Sequence, residues 1–256
     1  CIAFNSCALI LILNGGRGSL AKETMRSVDT WLYGFILMFN YIIGMMLFGY
    51  ISATQATLIQ KISVLLGLLS SWIFFARKPD VFQIIGTIII TAGVVLVAIG
   101  VESENKGIIY LLSMLYGSLQ IARIFAAELH RPHTKAAKNN SDPKAKSRVI
   151  GFVMFIVSTM FMSLVFIISL AQELQSVPIK NLPTFDDFIH YPTIFSGFIT
   201  GLLVVAPLRL LEFSSSNIIK SENFATVTAL SFISTVFWEF FTAPVSGLNV
   251  NEISST

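Results

Sequence analysis

The feature that most constrains this chain is a series of apolar segments, each about as long as a bilayer is thick, separated by short loops. A helix needs about 20 apolar residues to cross a hydrocarbon core of roughly 30 Å. The chain is 54% hydrophobic and only 12% charged, whereas a soluble domain carries about 25% charged residues. We therefore predict an all-α, polytopic transmembrane helical bundle with about eight spans visible. The segments are 1–13, 31–49, 52–75, 81–100, 107–129, 149–171, 192–213 and 219–243.

The chain is predicted to be a single transmembrane domain, 1–256, because its longest polar stretch is too short to form a core of its own. The first segment is only about half a span, and the chain starts with Cys1 and stops soon after a span, so we expect both ends to be truncated. Cys1 and Cys7 share one segment and are expected to be plain thiols. No metal site and no cofactor are predicted.

The basic residues of the loops are distributed unevenly. If consecutive segments cross the membrane, one side has only Lys106 and Lys180. Because basic loops stay on the cytoplasmic side, the other side is predicted to be cytoplasmic, in a multi-pass protein of the plasma (bacterial inner) membrane. Its most basic loop runs from Arg131 to Arg148, and the stretch 130–133 within it is predicted to be a solvated linker. The basic side holds Arg17, Lys22, Arg26, Arg77, Lys78, Arg131, Lys135, Lys138, Lys144, Lys146, Arg148 and Lys220.

An internal repeat is visible at two places. Residues 47–54 are similar to 210–217, and residues 71–75 are similar to 237–241. Such signals mark the duplicated halves of transporters, whose substrate site lies near the bilayer midplane. Five spans separate the copies, so the two repeats (first half 1–100, second half 107–256, both truncated) are predicted to be inverted relative to each other.

Two runs of residues carry a family resemblance. Residues 50–58, YISATQATL, and residues 83–94, QIIGTIIITAGV, resemble the drug/metabolite transporter superfamily, in particular its EamA-type ten-helix members. The resemblance implies that the segments are helices two to nine of such a transporter. The chain departs from the family pattern by carrying Arg77 and Ala243 where a Glu is common, and by lacking the Pro usual in helices four and nine. These departures leave the substrate open.

Polar groups at membrane depth are functional candidates, because burying them in lipid costs several kcal/mol unless they face a partner or a wet cavity. Lys61 lies roughly 15 Å into its segment, at 1.5 Å per residue. Gln60 shares a face with the small residues Ala56, Ser63 and Gly67, which marks a face turned to other helices or to a cavity. We interpret Lys61 as a substrate contact. The alternative is that it pairs with a carboxylate and only stabilises the fold.

Further candidates for the substrate site lie on three other segments. Tyr116, Gln120 and Arg123 project from one side of their helix and suit a partly apolar, anionic small molecule. The alternative for Gln120 is an interhelical hydrogen-bond seam. The remaining candidates are Asn40, Tyr41 and Ser231.

Two other features are assigned roles away from the substrate. Arg209, Glu212 and Glu222 are candidates for a cytoplasmic gate, since Arg209 and Glu212 can pair three residues apart on one helix. The alternative is that these charges only anchor the helix ends at the membrane interface. Gly86, Gly93 and Gly100 form a smooth strip at seven-residue spacing, which suits packing against a neighbouring helix or a homodimer contact.

The leading hypothesis is a secondary transporter, an exporter of a small organic metabolite that works by alternating access. The alternatives are a membrane-embedded enzyme and a non-transporting scaffold. The chain has no GxxxxGK[ST] motif for nucleotide binding. The predicted spans contain neither His nor Asp, which intramembrane catalysis commonly needs, so an enzyme is not expected. The expected partners are the small-molecule substrate and the lipid bilayer, and no nucleic acid.

Overall fold

The computed structural model describes residues 1–16, 18–100, 105–139, 142–175 and 190–229, and the regular elements in these ranges are all helical. This confirms the predicted all-α bundle. The helices are α1 (Ile2–Gly15), α2 (Leu20–Arg26), α3 (Val28–Phe48), α4 (Ala53–Ile59), α5 (Ile62–Phe75), α6 (Val81–Ile99), α7 (Lys106–Glu128), α8 (Arg131–Lys138), α9 (Ala145–Gln175), α10 (Tyr191–Thr200), a π-helical segment (Gly201–Val205), α11 (Ala206–Ile219) and α12 (Ser221–Ala229).

Six helical stretches within the described ranges are long and apolar enough to cross a membrane. They match the second to seventh predicted segments, whereas α1 is a shorter apolar helix, as expected. The eighth predicted segment extends beyond the described residues. The six stretches are Val28–Phe48, Gln55–Phe75, Val81–Ile99, Lys106–Lys138, Ala145–Gln172 and Tyr191–Ser215.

Large apolar side chains cover much of the outside of these helices. On α6, Phe82, Ile88, Ile89 and Leu96 are all exposed. In a soluble protein such a surface would aggregate. In a bilayer it is the surface that lipid covers, while the helical backbone satisfies its own hydrogen bonds.

The chain divides into two compact units. The larger unit comprises Cys1–Ile43 and Ser118–Phe224, and the smaller one Gly44–Gly117 and Ala225–Thr256. Helices α3 and α7 run through both. Since neither unit coincides with a predicted repeat half, the repeats stay a prediction. The two similar stretches also differ locally: residues 47–54 include the turn between α3 and α4, whereas 210–217 lie inside α11.

The core of the larger unit is centred on α1 and α9, which pack closely together. A Cβ atom added at Gly151 of α9 would lie 2.8 Å from the backbone nitrogen of Ile12 on α1. Glycine therefore permits the two backbones to approach. The buried apolar residues of this core include Phe4, Cys7, Ala8, Leu11, Tyr33, Leu37, Val149, Ile150, Val153, Met154, Val157, Val205, Ala206 and Phe213.

Arg148 closes the end of α1. The sequence placed this residue in a loop, but α9 begins at Ala145, and Arg148 is buried on its first turns. Its Nε and Nη2 donate to the carbonyl of Gly15 at 3.1 and 2.8 Å, and its Nη1 donates to Asp142 at 2.7 Å. A cation here balances the partial negative charge of the helix C-terminus. The same hydrogen bond lowers the pKa of the Asp142 carboxyl below its ordinary value.

Loops that were predicted to share the basic side do meet at one end of the larger unit. Arg131 binds the carboxylate of Asp29 through Nε and Nη2, both at 2.8 Å. Glu128, at the end of α7, accepts hydrogen bonds from the backbone N–H and the hydroxyl of Ser221 at 3.0 and 2.7 Å. These contacts join the start of α3 to the start of α8, and the end of α7 to the start of α12, as alternate crossing predicts. That this end faces the cytoplasm stays a prediction.

The stretch 130–133 is not the solvated linker that we predicted. Pro132 occupies the first turn of α8, where its missing N–H is not needed. His130 caps this helix, and its Nε2 lies 3.0 Å from the hydroxyl of Thr30. Both His130 and His133 are buried, and both rings contact Phe213 edge-on. Aromatic packing draws the loop into the core.

Helices α4 and α6 of the smaller unit begin with capping boxes. Ser52 and Gln55 exchange hydrogen bonds at the start of α4, and Asp80 and Gln83 do so at the start of α6. Each box satisfies two backbone N–H groups that would otherwise be unpaired at a helix end. Both α4 and α5 pack on α6. Residues 48–52, Gln55 and Gly100 line an open pocket of about 490 Å³.

Candidate functional site

The helix that carries the best-defined polar site is interrupted by a π-helical turn. At Gly201–Val205 the backbone N–H of Ala206 bonds to the carbonyl of Gly201, five residues earlier. Pro207 follows directly and has no N–H to donate, so a regular helix would be broken here. A π turn absorbs this defect and is frequent at functional sites. It also rotates the residues that follow, which include Arg209 and Glu212.

Arg209 and Glu212 form a buried ion pair on α11. Arg209 is fully buried and Glu212 is 1% exposed. The Glu212 carboxylate uses its other oxygen, Oε1, to contact the Nε of Arg123 on α7 at 2.9 Å. Glu212 thus bridges two guanidinium groups on two helices, which a sequence-based pairing of Arg209 with Glu212 alone did not anticipate.

Two tyrosines of α3 complete this site. Nη1 of Arg209 donates to the hydroxyl of Tyr33 at 3.3 Å, and Nη2 donates to the hydroxyl of Tyr41 at 3.1 Å. We name Tyr33, Tyr41, Arg123, Arg209 and Glu212 the arginine cluster. It joins α3, α7 and α11 within the larger unit.

An aromatic surface adjoins the arginine cluster at Tyr41. The Tyr41 ring lies edge-on to Phe4, with centroids 5.2 Å apart, and also contacts Phe161. Phe4 and Phe161 stack on each other at 5.2 Å. The cluster thus combines buried cations with an apolar wall, which is the composition of a site for a partly apolar anion.

The charges within the arginine cluster do not balance. Two guanidinium groups face one carboxylate, and among the described residues no other carboxylate pairs with Arg123 or Arg209. The Nε of Arg209 is buried and has no hydrogen-bond partner in the described part of the chain. Since an uncompensated charge away from water is costly, the site is electrostatically suited to an additional negative group.

The structure brings together four of the residues that the sequence singled out: Tyr41, Arg123, Arg209 and Glu212. Arg123 is only 8% exposed and is held by Glu212. Of the other candidates, Asn40 is buried next to Tyr41 on α3. Glu222 lies on α12 outside the cluster, and Ser231 lies outside the described residues.

Gln60, Lys61 and Tyr116 lie in the smaller unit, and Gln120 lies in the larger one. Gln60 and Lys61 occupy a break between α4 and α5, where the N–H of Lys61 bonds to Leu58 and that of Val64 bonds to Lys61, each three residues back. Lys61 is half-buried there. The break is a single tightened turn within the stretch Gln55–Phe75, because both residues keep right-handed helical backbone angles. A short 3₁₀ turn inside a helix often marks a functional hinge, and the sequence did not predict this one.

The side chains around that break support the predicted inward stripe. Ala56, Ser63 and Gly67 are all buried, and the amide nitrogen of Gln60 is buried without a hydrogen-bond partner among the described residues. A Cβ at Gly117 of α7 would lie 2.6 Å from the side chain of Ile62, so α7 packs closely against α5. Tyr116 lies against Gly44 of α3.

Tyr33 is the member of the arginine cluster that sequence reasoning missed. Its signal was available: Tyr33, Leu37 and Tyr41 follow at four-residue steps, which place them on one face of a helix. No set of three or more His, Cys, Asp or Glu side chains within the described ranges is arranged to hold a metal ion.

A comparison with known families gives one match, in the first part of the chain. Residues 2–99 match the EamA-like transporter family. The match covers α1 to α6 and confirms the resemblance drawn from residues 50–58 and 83–94. Together with the six helical stretches that are long and apolar enough to cross a bilayer, this match shows an integral, multi-pass membrane protein whose first part is similar to transporters of that family. Neither the curated proteins nor the solved structures contain a match to this chain.

Proposed function

We propose that this protein is a secondary transporter that exports a small organic metabolite by alternating access. The observation that carries the proposal is the match of residues 2–99 to a transporter family, in a chain of helices long enough to span a membrane. Two features support it. One is the helix break at Gln60 and Lys61, and the other is the buried arginine cluster.

In this proposal the candidate substrate contacts of the smaller unit are Gln60, Lys61 and Tyr116, and those of the larger unit are Asn40, Tyr41, Gln120 and Arg123. Arg209 and Glu212 act as part of a gate whose ion pair rearranges when access alternates. A buried pair suits that role because it is stable while closed and expensive to separate without a replacement partner.

A counterflow assay in proteoliposomes tests the proposal. The full chain is reconstituted with an internal metabolite mixture, and uptake of each labelled metabolite is measured for wild type, Lys61→Ala and the control Lys78→Ala. Lys78 is an exposed loop lysine, so its substitution makes the same chemical change away from the site. We expect exchange of at least one metabolite, lost in Lys61→Ala and retained in Lys78→Ala. Exchange of no metabolite overturns the transporter proposal, and equal exchange by both variants removes Lys61 from the site.

A further inference from the structure

We propose that the arginine cluster binds the oxyanion group of an organic anion, with Arg209 as its principal contact and Glu212 as the counter-ion that the anion supplements. This inference rests on the proposed function, since it names the substrate class of the transporter. The chemistry that the site recognises is a carboxylate or a phosphate attached to an apolar body.

The first argument is the charge imbalance. Glu212 neutralises one of the two guanidinium groups, so within the described ranges the arginine cluster retains one positive charge on buried side chains. An incoming anion removes that imbalance. The free energy of binding is therefore favourable for two reasons. The anion is attracted to the arginine cluster, and its charge removes the cost of keeping an unpaired charge buried.

The second argument is the supply of hydrogen-bond donors. Arg209 has its Nε unpaired among the described residues, while Nη1 donates to Tyr33 and Glu212 and Nη2 donates to Tyr41. A guanidinium binds a carboxylate or a phosphate through two parallel N–H groups. The tyrosine hydroxyls accept from Arg209, so their own hydrogens are free of that bond and can be donated to an anion beside it.

The third argument is the apolar wall next to the cations. Tyr41 binds Arg209 through its hydroxyl, and the rings of Phe4 and Phe161 pack against the Tyr41 ring. An inorganic ion makes no use of this surface. An organic anion places its charged end on Arg209 and its apolar part on these rings, which is how small-molecule sites combine affinity with orientation.

Binding to the full chain in detergent tests this directly, with probes matched in shape. Benzoate and phenyl phosphate carry the two oxyanion types on the same ring, and benzamide is the neutral counterpart of benzoate. The saturable rise in unfolding temperature at constant ionic strength gives the apparent Kd of each probe. We expect benzoate, phenyl phosphate or both to stabilise the wild-type protein, and benzamide to have no saturable effect. The anion with the lower apparent Kd shows whether the site prefers a carboxylate or a phosphate.

Two substitutions change the charge in opposite directions. Arg209→Gln removes the principal contact and is expected to raise the apparent Kd about tenfold to a hundredfold. This factor corresponds to the loss of one charge-assisted hydrogen bond, which contributes about 1.5–3 kcal/mol. Glu212→Gln removes the internal counter-ion and is expected to lower the Kd. Arg131→Gln, at an exposed arginine outside the cluster, is the matched control and is expected to bind as wild type.

The proposal is overturned if benzamide stabilises as well as benzoate, if chloride or inorganic phosphate stabilises as strongly as both organic anions, or if Arg209→Gln binds with the wild-type Kd. If the variants fail to fold, the comparison of benzoate with benzamide on the wild-type protein still tests whether the site requires an anion. The counterflow assay separates the two proposals. Exchange limited to neutral or cationic solutes overturns the anion site and leaves the transporter standing, whereas anion binding without any exchange overturns the transporter alone.

Discussion

The close packing of α1 on α9 predicts that replacing glycine by alanine lowers the free energy of unfolding at Gly151 but not at Gly93. At Gly151 an added Cβ would lie 2.8 Å from Ile12 N, 2.9 Å from Ile12 Cγ1 and 3.0 Å from Leu11 C. Ordinary contacts begin at 3.4 Å. Gly151→Ala therefore forces α1 and α9 apart by about half an ångström, at an expected cost of roughly 1–3 kcal/mol.

Gly93 is the matched control for this substitution. It lies inside a helix, as Gly151 does, but an added Cβ there meets no described atom within 4 Å. Gly93→Ala is expected to leave the free energy of unfolding unchanged or to raise it by up to about 1 kcal/mol, because alanine has the higher helix propensity.

Unfolding in mixed detergent micelles, followed by circular dichroism as the denaturing detergent is increased, measures both variants against wild type. The free energy of unfolding should fall for Gly151→Ala and not for Gly93→Ala. Ordinary surface substitutions change stability by about 0.5 kcal/mol or less. If the effect of Gly151→Ala lies within that range, the close approach of α1 and α9 is refuted.

Three further predictions concern other parts of the chain. Arg148→Met should cost about 1.5–3 kcal/mol in detergent unfolding by removing charged hydrogen bonds to the end of α1, while Lys146→Met, at an exposed neighbour, should cost little. The pKa of Asp142 is lowered from 3.8 by Arg148, so its contribution is complete above pH 3.8 and is lost as the pH falls further. The wild-type unfolding temperature should therefore drop more steeply below that pH than that of Asp142→Asn, and parallel curves would contradict this. If the glycine strip of α6 forms a homodimer, Gly93→Leu should reduce crosslinked dimer in membranes, and undiminished crosslinking would argue against that contact.

The predictability of the site differed from residue to residue. The pairing of Arg209 with Glu212 was predictable, because residues three positions apart lie on the same face of a helix. The structure contains this ion pair. The contact between Arg123 and Glu212 joins residues 89 positions apart, and it depends on how α7 packs against α11. No local pattern encodes such a contact. The helix break at Gln60 and Lys61 has neither Pro nor Gly to signal it, and it was missed for that reason.

The loop 130–148 shows a signal that was present and misread. Pro132 is a good first-turn residue for a helix, and His130 before it can cap one, so α8 could have been predicted. Polarity suggested a solvated linker instead, because composition does not reveal that two histidines will pack on Phe213 of a distant helix.

The sequence by itself determined the helical class, the approximate positions of six of the predicted membrane segments and the family resemblance. Lipid imposes these features locally, since each segment must be apolar, about 20 residues long and satisfied in its own hydrogen bonds. Only the tertiary structure decided which polar groups meet. The arginine cluster exists because α3, α7 and α11, which are distant in the chain, pack together, and the free energy of that arrangement belongs to the packed bundle rather than to any one segment.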